Sequence, residues 1–110
     1  MGVVTPDRLT QILAELRTGY EALYGDRLAR LVLFGSQARG DAAPDSDIDV
    51  MVVLRGPVNS SDEIRRTGPF FSAVSLRNDV LVTPVYVSED RFRDENSPLL
   101  LNVRRDGVPV

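Results

Sequence analysis

Two groups of residues between positions 35 and 49 have the types and spacing to do chemistry together. Gly35-Ser36 follows directly on an apolar run, and Asp47 and Asp49 stand one residue apart at the start of the next. Glycine lets the backbone pass close to a ligand, while serine offers both an amide N–H and a hydroxyl. A helix beginning there would add unpaired N–H groups and a dipole, and so make an anion site without lysine. In a strand, the period of two puts Asp47 and Asp49 on one face and turns Ile48 the other way, into apolar packing. Two carboxylates side by side repel, and burial raises the penalty unless a cation lies between them. A divalent metal site is the simplest resolution. Phosphate oxygens at Gly35-Ser36 with Mg²⁺ at Asp47 and Asp49 would suit metal-assisted attack on a nucleotide phosphate.

The missing residue types narrow the chemistry further. The chain has no Cys and no His, and all thirteen of its basic residues are Arg. Disulfides, thiolate nucleophiles and Cys-ligated metals are therefore excluded. So are the usual base of a serine or cysteine triad, a Schiff-base lysine and a P-loop lysine. Carboxylates, backbone amides and guanidinium remain, a set suited to hard, oxygen-seeking cations. The net charge of −3 argues against a sequence-independent nucleic-acid binder, which carries a basic excess.

The elements that must position these residues follow from the pattern. At 110 residues, 43% apolar and 26% charged, the chain reads as one domain over 1–110 with a core of its own. No apolar stretch approaches the roughly 20 residues of a bilayer span, and Met1–Leu9 lacks the layout of a secretory signal, so a cytoplasmic setting is expected. Thr5 and Pro6 start an amphipathic helix whose apolar residues Leu9, Ile12, Leu13, Leu16, Tyr20 and Leu23 recur at three- and four-residue steps up to Gly25. Residues 29–34 and 47–54 read as strands covered on both faces. A helix is expected over 61–78, broken or kinked at Gly68-Pro69. Asp79 to Val87 reads as a third strand, on an edge or with a bulge because of Pro84. Ser88 caps a short helix over 89–93, and 97–105 forms another turn or two before Gly107. The order predicts an α/β (α+β) fold, with helices packed on a small sheet.

The run LFGSQARGDAAPDSDIDVMVVL resembles the signature of the nucleotidyltransferase superfamily whose fold is shared with DNA polymerase β. It is most similar to the minimal nucleotidyltransferase domains of prokaryotes: Gly-Ser, then Ala-Arg-Gly, then Ser-Asp-x-Asp entering a strand. About twenty residues carry the match, which is specific for the fold and less so for activity. The resemblance implies a small mixed sheet, a triphosphate tail bound by Gly35 and Ser36, and two Mg²⁺ ions held by Asp47, Asp49 and a third carboxylate from a later strand. Asp79, opening the third strand, is the candidate for that carboxylate. Aligning instead on Val87-Ser88-Glu89-Asp90-Arg91-Phe92 puts Thr83 in the slot and leaves one metal weakly held. Arg39 either contacts the nucleotide or acceptor, or is a surface residue tied to Asp41 or Asp45.

The resemblance also implies a reaction: a nucleoside monophosphate, AMP if the substrate is ATP, moves from a nucleoside triphosphate to an acceptor hydroxyl. In small relatives the acceptor is often a tyrosine on a partner, the all-helical HEPN-type toxin of a toxin–antitoxin pair. The alternative is a binding module that keeps the fold and neutralises or scaffolds a partner. Arg65-Arg66 and Arg104-Arg105 read as solvated faces. Phe70, Phe71 and Leu99 to Leu101 read as core, with the three leucines also able to line a partner interface.

Overall fold

The computed structural model of the chain describes residues 4–43 and 46–110. Helix α1 spans Pro6–Tyr24; Thr5 accepts a hydrogen bond from the Arg8 amide, and Gly25 ends the helix. Strand β1, Leu28–Phe34, leads through Gly35 into α2, a single turn over Ser36–Arg39. Strand β2, Ile48–Leu54, follows, then the long helix α3, Ser60–Asn78. Strand β3, Val82–Ser88, is succeeded by α4, Glu89–Asp94, α5, Pro98–Asp106, and a two-residue strand β4, Val108–Pro109. Ser88 and Ser97 cap α4 and α5 with their hydroxyls, as serine before an acidic or proline-led first turn predicts.

The sheet runs β3-β2-β1-β4 and is mixed: β1 is antiparallel to β2 and β4, while β2 and β3 are parallel. Alternation along β2 sorts its side chains to two cores. Ile48, Val50, Val52 and Leu54 pack with Ile12, Leu16 and Tyr20 of α1 and Val74 of α3. Met51 and Val53 pack with Leu100 and Val103 of α5 on the other face. The six apolar residues of β2 are fully buried, which is why the run after Asp49 reads as uninterrupted apolar sequence. Asp49 shares the parity of Met51 and Val53, so it stands at the end of the face that α4 and α5 cover.

Pro84 lies on β3, an edge strand, as its missing N–H requires. The same edge is blunted by α3: the Val82 amide donates to Ser75 Oγ at 3.1 Å, and Ser60 Oγ donates to the Tyr86 carbonyl at 3.4 Å.

Three expectations are corrected. Helix α3 is not broken at Gly68-Pro69 but runs through Pro69. Proline removes one helical hydrogen bond and clashes with the Cβ of the preceding residue; here that residue is glycine, which has none. Tertiary packing then holds the next turn, because the Phe70 ring lies over Gly19 of α1 and meets Tyr20 edge-on at 5.1 Å. Second, the third strand begins at Val82 rather than Asp79. Asp79 is the C-cap of α3, in the left-handed region with φ 51°. Third, Arg104 is not a solvated residue: it is half-buried and braces α4 against α5, donating to the Phe92 carbonyl at 2.6 Å and to Asn96 Oδ1 at 2.9 Å. No helix among the described residues is long and apolar enough to cross a membrane.

Candidate active site

Strand β1 delivers the chain to Gly35, whose φ of +74° is open to glycine and strained for other residues. The turn that follows is closed by the Arg39 amide on the Gly35 carbonyl at 3.1 Å and by the Gly40 amide on the Ser36 carbonyl at 3.0 Å. Its leading N–H groups have no carbonyl within so short a helix. Gln37 Nε2 donates to the Ser46 carbonyl at 3.3 Å and ties the turn to the segment that carries Asp47.

Phe34 is the cross-strand partner of Asp49, so the residue after Phe34 must pass close to the Asp49 side chain. It does: a Cβ placed on Gly35 would stand 2.5 Å from Asp49 Oδ2. Burial raises the proton affinity of Asp49 above the ordinary aspartate value, and the neighbouring Asp47 charge raises it further, while Arg39 opposes both. The structure thus brings together Gly35, Asp47, Asp49 and Arg39, with Ile48 turned into the opposite core and fully buried.

Arg39 is exposed and pairs with Asp41, Nε to Oδ2 at 3.3 Å. It also remains within electrostatic reach of Asp49, so the pairing with Asp41 does not take it away from the carboxylate pair. Asp45, the other partner considered for it, lies outside the described residues.

Asp79 is not brought to the pair. It caps α3 three residues before β3 starts, and among the described residues no three acidic side chains converge on a common point. The parallel register sets Thr83 opposite Asp49, on the same face and exposed. The residue beside Asp49 on the neighbouring strand thus carries a hydroxyl and not a carboxylate. Sequence parity could not separate residues 79 and 83, since both fall on one face of a continuous strand. The left-handed cap, a conformation Asp adopts more readily than most residues, removes Asp79 from the strand.

Two carboxylates, one of them partly desolvated and repelled by the other, form an oxygen donor set that fits a hard divalent cation. They fit one directly held Mg²⁺ better than two, because no third acidic side chain among the described residues converges on them. Sequence pattern did not reveal that Leu99 and Asn102 of α5, more than fifty residues away, line a cavity with Gly35 and Arg39. No local motif marks a helix that reaches the site by tertiary packing.

Fold and site together define a nucleotidyl-transfer architecture, and comparison with known proteins agrees. The sequence model of the nucleotidyltransferase domain matches residues 11–98, and the chain belongs to that family. Two Methanocaldococcus jannaschii proteins named "putative protein adenylyltransferase" are similar to it. MJ0141 is 31% identical over 70% of this chain and 77% of its own length. MJ0604 is 29% identical over 86% of this chain and 90% of its own. In structure, the chain superposes with TM-score 0.60 on a toxin-antitoxin crystallised with AMP-PNP, at 21% identity, covering 91% of this chain and 69% of the other. That likeness bears on the fold alone.

Proposed function

We propose that this protein transfers a nucleoside monophosphate, AMP from ATP, onto a hydroxyl of a partner protein, in the manner of the antitoxin of a HEPN-type toxin–antitoxin pair. The contact of Asp49 with the Gly35 backbone carries the proposal, because it sets a carboxylate beside the turn whose leading amides are free of helical carbonyls. In this scheme the triphosphate tail lies along Gly35 and Ser36, whose amides and hydroxyl donate to its oxygens. Asp47 and Asp49 hold Mg²⁺, which supplies Lewis-acid polarisation of the phosphate oxygens and neutralises the paired carboxylates. The acceptor oxygen bonds to the α-phosphorus, the bond from that phosphorus to the bridging β-phosphate oxygen breaks, and pyrophosphate leaves. The acceptor's proton passes to solvent. Arg39 steadies the negative charge of the tail from the outer side. A cytoplasmic setting, where nucleoside triphosphates are at hand, belongs to the same proposal.

The names of the similar proteins support a protein as acceptor, and the paired partner is taken from the toxin-antitoxin setting in which the same fold occurs. Incubation of the protein with labelled ATP, Mg²⁺ and the product of the adjacent gene tests it. A label on the partner that disappears in Asp47→Asn supports transfer, and full transfer by Asp47→Asn removes the pair from the mechanism. One observation favours a second reading. With Thr83 and not a carboxylate beside Asp49, a slow or inactive domain that neutralises its partner by binding is supported by a tight complex carrying no label.

A further inference from the structure

Helix α5 crosses the end of the sheet face on which Asp49 lies. Its buried side, Leu100 and Val103, joins the second core, while Leu99 is left 42% exposed on the side toward α2. Between α2 and α5 lies a cavity of about 210 Å³. Gly35, Phe34 and Arg39 form one wall, and Leu99, Asn102 and Asp106 form the other.

The chemistry of the walls is uneven. Phe34 and Leu99 present apolar surface. Asn102 Oδ1 accepts from Arg105 Nη2 at 3.1 Å, which fixes the amide with its Nδ2 donors still available. Asp106 is held by Arg105 at 3.0 Å. Arg39 stands between the two ends, acting on the charge of Asp49 at one and of Asp106 at the other. The cavity is smaller than the few hundred Å³ a whole drug-sized ligand fills, so it accommodates part of a larger molecule. Because Gly35 belongs both to this cavity and to the contact with Asp49, the cavity has room for the other end of a ligand whose anionic end is at Gly35. A flat, apolar-faced group with hydrogen-bond acceptors on its edge fits these walls.

Resting on the proposed function, we infer that Leu99 and Asn102 of α5 form the nucleoside end of the site, Leu99 covering a face of the base and Asn102 donating to an acceptor on its edge. They are specificity residues: they leave the triphosphate contacts alone and set which base is held. Both are exposed, so their truncation leaves the core intact.

The test compares ATP, GTP, CTP and UTP with inorganic tripolyphosphate, each titrated with Mg²⁺ into the wild type and into Leu99→Ala, Asn102→Ala, Asn102→Asp and the Leu99→Ala/Asn102→Ala double variant. For the preferred nucleotide, the ratio of nucleotide to tripolyphosphate affinity falls about tenfold in the double variant, as expected for one lost apolar contact and one lost hydrogen bond. Tripolyphosphate affinity itself stays within about twofold. Asn102→Asp, which removes the donors without changing shape, alters the order of preference among the four bases. An unchanged ratio in the double variant overturns the assignment and leaves the proposed function standing. A wild type that binds neither nucleotide nor tripolyphosphate overturns both.

Discussion

The backbone of Gly35 and the carboxylate of Asp49 touch, so closely that a methyl group on Gly35 would stand 2.5 Å from Asp49 Oδ2. The contact follows from the antiparallel pairing of Phe34 with Asp49 and from the φ of +74° that turns the chain across the strand end. Gly35→Ala meets two obstacles at once, a backbone conformation alanine resists and a carboxylate it must displace. The expected loss of stability is about 1–2 kcal/mol. Affinity for MgATP is expected to fall about tenfold or more, the equivalent of roughly 1.4 kcal/mol, because the displaced carboxylate no longer faces the turn. Urea denaturation and calorimetric titration measure the two effects separately. A variant that loses stability but binds MgATP normally would show that the contact is structural only.

Thr83 faces the position opposite Asp49 across the parallel pairing of β2 and β3. Thr83→Asp therefore adds a third carboxylate to the pair, and divalent affinity rises with ligand charge. Binding of Mn²⁺ as a probe is expected to tighten by about tenfold, the equivalent of roughly 1.4 kcal/mol. The metal-free variant should melt lower than wild type, since three like charges then share one end of the sheet. Unchanged Mn²⁺ binding would mean that the residue 83 side chain does not reach the pair.

The proton affinity of Asp49 is raised by burial and by Asp47, and the sign of its effect on stability is fixed by that direction. A carboxyl that binds its proton more tightly folded than unfolded favours the folded state while protonated. That contribution is present below the ordinary aspartate range and is lost as pH climbs through it to the raised folded value. At neutral pH without metal the ionised group is thus a liability. Asp49→Asn, neutral and nearly the same shape, should melt a few degrees above wild type at pH 7, and the gap should close on acidification. Mg²⁺ should raise the melting temperature of wild type and have little effect on Asp49→Asn. Thermal melts at several pH values, with and without Mg²⁺, check all three statements.

How much of this was legible in the sequence divides by the range of the interactions concerned. Helix α1 could be read because its cap and its apolar spacing are local. Strand β2 could be read because burial on both faces leaves no polar residue after Asp49. The Gly35-Ser36 turn and the Asp47–Asp49 pair were visible as neighbours in a motif. Their contact depends on strand register, which the motif does not state. Pro69 misled because a local rule, proline ends a helix, was outweighed by Phe70 seated on Gly19. Asp79 misled because a carboxylate before an apolar run looks the same whether it opens a strand or caps a helix. The edge strand β4 and the approach of α5 to Gly35 leave no local pattern at all, since each consists of a few residues placed by the rest of the fold.

Away from the site, one buried carboxylate joins the first helix to the third. Glu63 is 6% exposed; its Oε1 accepts from the Tyr24 hydroxyl at 2.8 Å and its Oε2 from Arg27 Nη1 at 3.1 Å. One turn further, Thr67 Oγ1 donates to the Glu63 carbonyl at 2.7 Å and bonds the Tyr86 hydroxyl, which lies 3.0 Å from that of Tyr20. Among the described residues, no buried side-chain polar atom is left without a partner, so removing one member strands another. Glu63→Ala leaves the Tyr24 hydroxyl without its acceptor and the Arg27 guanidinium without its counter-charge, and should cost about 3 kcal/mol, the low end for a broken buried pair because Arg27 keeps some access to water. Glu63→Gln retains an acceptor for Tyr24 but loses the counter-charge of Arg27, and should cost about 2 kcal/mol. Urea unfolding of the two variants should preserve that order, with MgATP affinity unchanged in both, since Glu63 packs on the α1–α3 side of the sheet and Asp49 faces the other. Equal losses would show that the hydrogen bond to Tyr24, which only Glu63→Gln retains, adds no stability.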